Sequence, residues 1–239
     1  MSLDFVSAGE TGRFSGDGRA AGFTCLLFDL DGTILDTEAV IIESLQYTIE
    51  KYTGRRPAAE ELAPLFGLPL VDQMRRYLPE KAEEMCETYV AHNLRAHARL
   101  VKPYPQVPEV LAELRRRGYR LALVTSKRAA SAEYGLNMFG LGEFFPVRVC
   151  ADHVTRHKPD PEPVLRAIAA LAAAPGEALM IGDSPWDIAA GRRAGAKTAA
   201  ALYGMYDRAS VLAERPDYQL EQAADLLALC PPLGGLSKN

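Results

Sequence analysis

The strongest constraint on the fold of this chain is a rhythm that sets in near residue 107. Helical patterns at Val107–Arg117, Lys127–Phe139, Pro161–Ala173 and Pro185–Ala194 alternate with short apolar runs. Those runs, Arg120–Thr125, Val147–Ala151, Ala178–Ile181 and Lys197–Leu202, read as buried strands. Gly118 and Gly195 stop two of the helices. Strands separated by helices pair in parallel through right-handed crossovers, which leaves a sheet covered on both faces. A further apolar run, Phe23–Leu27, reads as a first strand, but no strand follows it for some seventy residues. Ile41, Leu45, Ile49 and Tyr52 recur there at helical spacing up to Gly54. Short helices are expected near Ala58–Leu65 and Leu70–Leu78, and Pro79 opens a long one. The expected architecture is therefore α/β, a Rossmann-like parallel-sheet core of residues 22–36 and 104–230 with an inserted helical domain at 37–103. Residues 1–21, rich in Gly, Ser and charge, are expected to be a flexible tail.

Composition excludes several classes. A hydrophobic content of 48% and a charged content of 24% are ordinary for a globular protein. A net charge of −4 and no Lys/Arg-rich block argue against a nucleic-acid partner. No apolar run reaches membrane-spanning length, so no membrane partner is expected. The four cysteines, Cys25, Cys86, Cys150 and Cys230, form no C-x-x-C pair and suit a reducing, cytoplasmic setting.

The chemistry-bearing residues fall at strand ends. Asp29 and Asp31 follow the first strand two residues apart, so both point the same way at the edge where open α/β sheets hold their sites. Two carboxylates so close repel each other, which calls for a cation or a division of acid and base roles; they could also simply cap a turn. Thr125 and Ser126 end another strand with hydroxyls suited to a phosphate oxygen, although Ser126 alone reads equally as a helix cap. Lys158 is flanked by His157 and Pro159, where the prolines limit its direction. Asp183 follows Gly182 at a strand end, and Ser184 to Asp187 fits a capping box with proline at the first helical position. His153 and His157 read as loop residues, and Trp186 carries no assigned role.

Taken together and in this order, Asp29-Leu30-Asp31-Gly32-Thr33, Thr125, Lys158 and Gly182-Asp183-Ser184-x-x-Asp187 resemble the four motifs of the haloacid dehalogenase (HAD) superfamily. The helical insert resembles the superfamily's C1 cap. Lys158-Pro159-Asp160-Pro161-Glu162-Pro163 and Pro103-Tyr104-Pro105 are similar to the group of phosphoglycolate phosphatases and PpaX-like pyrophosphatases. Gln106 departs from that pattern, standing where many relatives carry glycine. The resemblance implies that Asp29 is the nucleophile of an aspartyl-phosphate mechanism and Asp31 the general acid and then base. It implies Mg²⁺ held by Asp29, the Asp31 backbone carbonyl and Asp183, with Asp187 acting through water. Thr125 and Lys158 are expected to bind phosphoryl oxygens, with Thr33, Ser126 and Arg75 as further substrate contacts. The implied substrate is a small phosphorylated metabolite or pyrophosphate, and a monomer is expected, with a homodimer as the alternative. A sugar phosphomutase and a non-catalytic phospho-ligand binder are the alternatives. No histidine follows soon after Asp31, as a mutase usually has, and no motif residue is lost, as a binder would show.

Overall fold

The computed structural model describes residues 22–66 and 68–234 of the 239. The expectation for residues 1–21 lies outside the described residues. Strand β1 (Cys25–Phe28) runs into a turn and then into the two-residue strand β2 (Leu35–Asp36). Helices α1 (Glu38–Thr53), α2 (Ala59–Leu62), α3 (Leu70–Arg75) and α4 (Ala82–Leu100) follow, and β3 (Lys102–Pro103) closes the insert. The rest alternates: α5 (Val107–Arg116), β4 (Arg120–Val124), α6 (Ala129–Met138), β5 (Val147–Val149), α7 (Glu162–Ala170), β6 (Ala178–Gly182), α8 (Pro185–Arg193) and β7 (Lys197–Ala201). Helix α9 (Arg208–Ala213), strand β8 (Tyr218–Leu220) and helix α10 (Asp225–Leu229) complete it.

The six longer strands form one parallel sheet in the order β5-β4-β1-β6-β7-β8. Chain direction across the sheet reverses at β1, because β4 and β5 lie to one side of it and β6 to β8 to the other. That reversal opens a crevice at the carboxyl ends of β4, β1 and β6. The period of two along each strand explains the double-sided burial. Leu26, Phe28, Leu121, Leu123, Leu179 and Ile181 join one core cluster, while Cys25, Leu27, Ala122, Val124, Ala178 and Met180 join the opposite one. Each large side chain buried this way contributes about 1.5–3 kcal/mol. The helical insert has its own core, built around Leu45, Ile49, Leu62, Met74 and Met85.

Several local details differ from expectation. The helix expected to reach Leu78 ends at Arg75, because Pro79 forces Leu78 out of the helical region to φ −152° and ψ 84°. The long helix starts at Ala82, after a single 3₁₀ turn at Pro79–Lys81. The helix expected from Lys127 starts at Ala129, which leaves Ser126 to Arg128 as a connector facing the sheet edge. The two linkers pair with each other: β2 and β3 are antiparallel, with Leu35 opposite Pro103 and Asp36 opposite Lys102. Tyr104 N–H donates to the Ile34 carbonyl at 3.0 Å and extends this ribbon. The sixth strand, β8, is too short for its three residues to show a pattern in sequence.

Gln106 precedes α5 at φ +65°, in the left-handed region that costs a residue with a Cβ roughly 1–2 kcal/mol. Gln106→Gly is expected to raise stability by about 0.5–1 kcal/mol in chemical denaturation, after the entropy that glycine gives up on folding. A loss of stability would show that the glutamine side chain makes a compensating contact.

Candidate active site

Three strands and one loop bring the charged residues together. Asp29 leaves the tip of β1, where its N–H donates to the Ile181 carbonyl at 2.9 Å. Asp183 leaves the tip of β6, and Asp187 lies in the first turn of α8. The carboxylates of Asp29, Asp183 and Asp187 can approach with all three oxygens within 4.8 Å of one another, and all three residues are buried. Lys158 reaches between them from the loop after β5. Its Nζ donates to Asp29 Oδ1 at 2.9 Å, to Asp187 Oδ1 at 2.5 Å and to the Val124 carbonyl at 3.2 Å.

One ammonium cannot satisfy three buried carboxylates. Burial foremost, then the Asp187 charge, against the pull of Lys158, raises the Asp29 carboxyl to about 7. Burial, with Asp187 and Asp29 beside it, holds Asp183 well above the usual carboxylate range. Burial opposes the charge on Lys158, but Asp187 and Asp29 outweigh it and keep the ammonium more basic than a free lysine. A divalent cation among these oxygens would remove the conflict, and oxygen donors from a few carboxylates suit a hard cation.

Each carboxylate is held in place. Ser184 N–H and Oγ both donate to Asp187 Oδ2, at 3.1 and 2.5 Å, and Asp187 N–H donates back to Ser184 Oγ at 3.2 Å. The capping box is therefore real, and Asp187 also joins the cluster through its other oxygen. Asp183 Oδ2 accepts from Met205 N–H at 2.9 Å and its Oδ1 from Thr33 Oγ1 at 3.3 Å. Thr33 is thus turned toward Asp183. Gly32, at φ +80°, and Gly204 make room for Asp183: a Cβ on either would come within 2.2 Å of that side chain. The loop after β7, which carries Gly204 and Met205, is a site element that sequence reasoning missed, because its contribution is a backbone N–H and an absent side chain.

The remaining expected residues divide. Thr125, Ser126 and Lys158 line a cavity of about 870 Å³ together with Asp29, Asp31 and Asp183. Thr125 Oγ1 accepts from Lys127 N–H at 3.1 Å. Asp31 stands apart from the carboxylate cluster. Both its oxygens accept from Lys127 Nζ, at 2.7 and 2.9 Å, a partner the sequence did not single out. Arg75, expected at the substrate, does not line the cavity. Its guanidinium pairs with Asp72 at 2.9 Å and lies 4.0 Å from Glu83, and more than half of its side chain is exposed. Its place on the outer side of the short helix α3 accounts for this. Trp186, His157 and Tyr206 line the cavity, whereas His153 turns to its own loop, within 3.2 Å of the Cys150 N–H and the Arg148 carbonyl.

The family model described as haloacid dehalogenase-like hydrolase matches residues 26–201. The chain belongs to this family. Among curated proteins it is 42% identical over 202 residues to pyrophosphatase PpaX of Halalkalibacterium halodurans, across 84% of this chain and 94% of that one. It is 41% identical over 204 residues to pyrophosphatase PpaX of Bacillus velezensis, across 85% and 94%. A haloacid dehalogenase-like family hydrolase from Streptococcus pneumoniae shares the fold, with a TM-score of 0.77, 24% identity, and coverage of 87% and 98%. The protein is a HAD-like phosphatase whose acidic cluster could hold a cation, and no helix among the described residues is long and apolar enough to cross a membrane.

The raised carboxyls set an expectation for metal binding. Asp29 titrates near 7 in the fold against 3.8 unfolded, so it favours folding below its unfolded value and that contribution is lost as the pH rises to about 7. Asp183 acts in the same direction. Excess Mg²⁺ is expected to raise the melting temperature more at pH 8 than at pH 5.5, and EDTA to abolish the rise. An equal rise at both values, or none, would place the cation elsewhere.

Proposed function

We propose that this HAD-like phosphatase is Mg²⁺-dependent and cleaves a small phosphate compound with an anionic leaving group, inorganic pyrophosphate first and 2-phosphoglycolate second. The observation that carries the reading is Asp29 at the tip of β1, bridged by Lys158 to Asp187 and within 4.8 Å of Asp183. The names of the relatives at about 40% identity support pyrophosphate as the first substrate to test. The four cysteines are all free thiols, and three are buried, which supports a reducing cytoplasm as the place of work.

In this reading an Asp29 oxygen attacks phosphorus in line, and the electron pair of the breaking P–O bond passes to the leaving oxygen. Asp31 gives that oxygen a proton. Water then attacks the aspartyl-phosphate and surrenders a proton to Asp31, which restores Asp29 and releases phosphate. Lys158 lowers the repulsion between Asp29 and the incoming phosphoryl group, and Thr125 and Ser126 hold its oxygens. Asp29, the Asp31 carbonyl and Asp183 would hold Mg²⁺, with Asp187 reaching it through water; the ion supplies charge neutralisation at the phosphoryl oxygens. Thr33 acts here through Asp183. We place the boundaries of the covering unit at residues 37 and 103, and its closure over the cavity would exclude water from the covalent intermediate.

Asp29→Asn is expected to lower phosphate release from pyrophosphate by at least about a thousandfold with the circular dichroism spectrum and melting cooperativity retained. Near-normal turnover would exclude the covalent route. Parallel assays with pyrophosphate and 2-phosphoglycolate rank the two substrates by kcat/KM. A mutase would instead form a phosphorylated isomer without net release of phosphate.

A further inference from the structure

The cavity is electrically lopsided. Among the described residues lining it, those from the helical insert include Glu83, Glu87, Gln73 and Asn93 but no lysine, arginine or histidine. An anionic leaving group between sheet edge and insert can therefore find countercharge only on the core wall, from Lys127, Arg128, His157 or Lys158. Lys158 is committed: its three donor contacts go to Asp29, Asp187 and the Val124 carbonyl, and it is nearly fully buried. Arg128 is exposed at the rim. Lys127 is different. Its side chain is only 14% exposed, it lines the cavity two residues after Thr125, and Asp31 occupies it with both oxygens.

That pairing has a consequence for Asp31. With both oxygens accepting from Lys127, Asp31 holds no proton for a leaving group; only when the contact opens can it take one up from solvent and then hand it to the leaving oxygen. What opens it must offer Lys127 another anionic oxygen within reach of a flexible four-carbon stem.

We propose that Lys127 reads the leaving group: it exchanges Asp31 for an anionic oxygen of the substrate beyond the scissile bond, so that recognition of that charge and release of Asp31 are one movement. The chemistry recognised is a phosphate or carboxylate carried by the leaving group. This rests on the phosphatase reading above and deepens it, because it makes a second anionic group the feature that selects the substrate.

The test compares Lys127→Met and Lys127→Arg with the wild type on three substrates: pyrophosphate, 2-phosphoglycolate and phenyl phosphate, whose leaving group has no second anion. Losing one charge-assisted contact predicts that Lys127→Met lowers the preference for pyrophosphate or 2-phosphoglycolate over phenyl phosphate, as a ratio of kcat/KM, by about 10- to 100-fold. Lys127→Arg is expected to restore most of that ratio. The arm that falls furthest identifies phosphate or carboxylate as the group read. An equal fall on all three substrates would overturn the proposal and leave Lys127 as a support for Asp31 alone. A second readout does not need turnover. Trp186 is the chain's single tryptophan and lines the cavity, so its fluorescence reports binding of non-hydrolysable methylenediphosphonate and of orthophosphate. Lys127→Met should weaken the first selectively by about 10- to 100-fold; equal weakening of both overturns the proposal. If the wild type hydrolyses none of the substrates, the phosphatase reading fails while this binding comparison still decides the role of Lys127.

Discussion

Mutual repulsion among Asp29, Asp183 and Asp187 is the constraint that organises the carboxyl edge of this sheet. Two charges about 4 Å apart interact by roughly 4 kcal/mol at the effective dielectric of a protein site. Lys158 relieves part of this by lying between Asp29 and Asp187, whereas among the described residues Asp183 is met by a backbone N–H and the Thr33 hydroxyl. The site is held in tension that a cation or a phosphoryl group with its metal resolves. Such a preorganised arrangement suits phosphoryl transfer, in which positioning and charge neutralisation dominate.

The fold supplies the rigidity this needs. Strand β1 lies between β4 and β6, paired to each in parallel along all four of its residues, so the tip bearing Asp29 cannot drift. Gly32 and Gly204 let two loops close to within contact of Asp183, and Tyr203 hydroxyl donates to the Thr33 carbonyl at 3.1 Å across the same junction. The loop after β7 thus ties the last motif to the first. It also reaches the insert, where Tyr206 packs edge-on against Phe66 with ring centroids 6.4 Å apart. The base of the insert is a paired ribbon, β2 with β3, beside the turn that carries Asp31 and Gly32. Any movement of the helices above that ribbon therefore begins next to the chemistry.

The distribution of charge follows from this division. The core wall bears all the lysines of the cavity and the insert bears its apolar surface, including Tyr89, Val90 and Leu94. A small anionic substrate would be held from below and sheltered from above. Water exclusion by a largely apolar wall, which carries no positive charge among its described lining residues, strengthens every electrostatic contact underneath it.

Sequence alone determined the layered α/β architecture, the helical insertion after the first strand, and the positions of Asp29, Lys158, Asp183 and Asp187. These were legible because strand period, helix period and turn residues are local signals, and because a motif residue at a strand's carboxyl end has its direction set by the strand. Asp187 was ambiguous in sequence for a physical reason: one of its oxygens serves the helix cap while the other reaches Lys158, so the capping box does not exclude it from the carboxylate cluster. What depended on tertiary structure was every contact between distant segments. The pairing of Leu35 with Pro103 between the two linkers, the approach of Met205 N–H to Asp183, and the grip of Lys127 on Asp31 join residues 68, 22 and 96 positions apart. Arg75 marks the same limit from the other side, since a short helix does not announce which face it turns to the cavity. Long-range register and side-chain facing arise from packing of the whole chain, which no local pattern records.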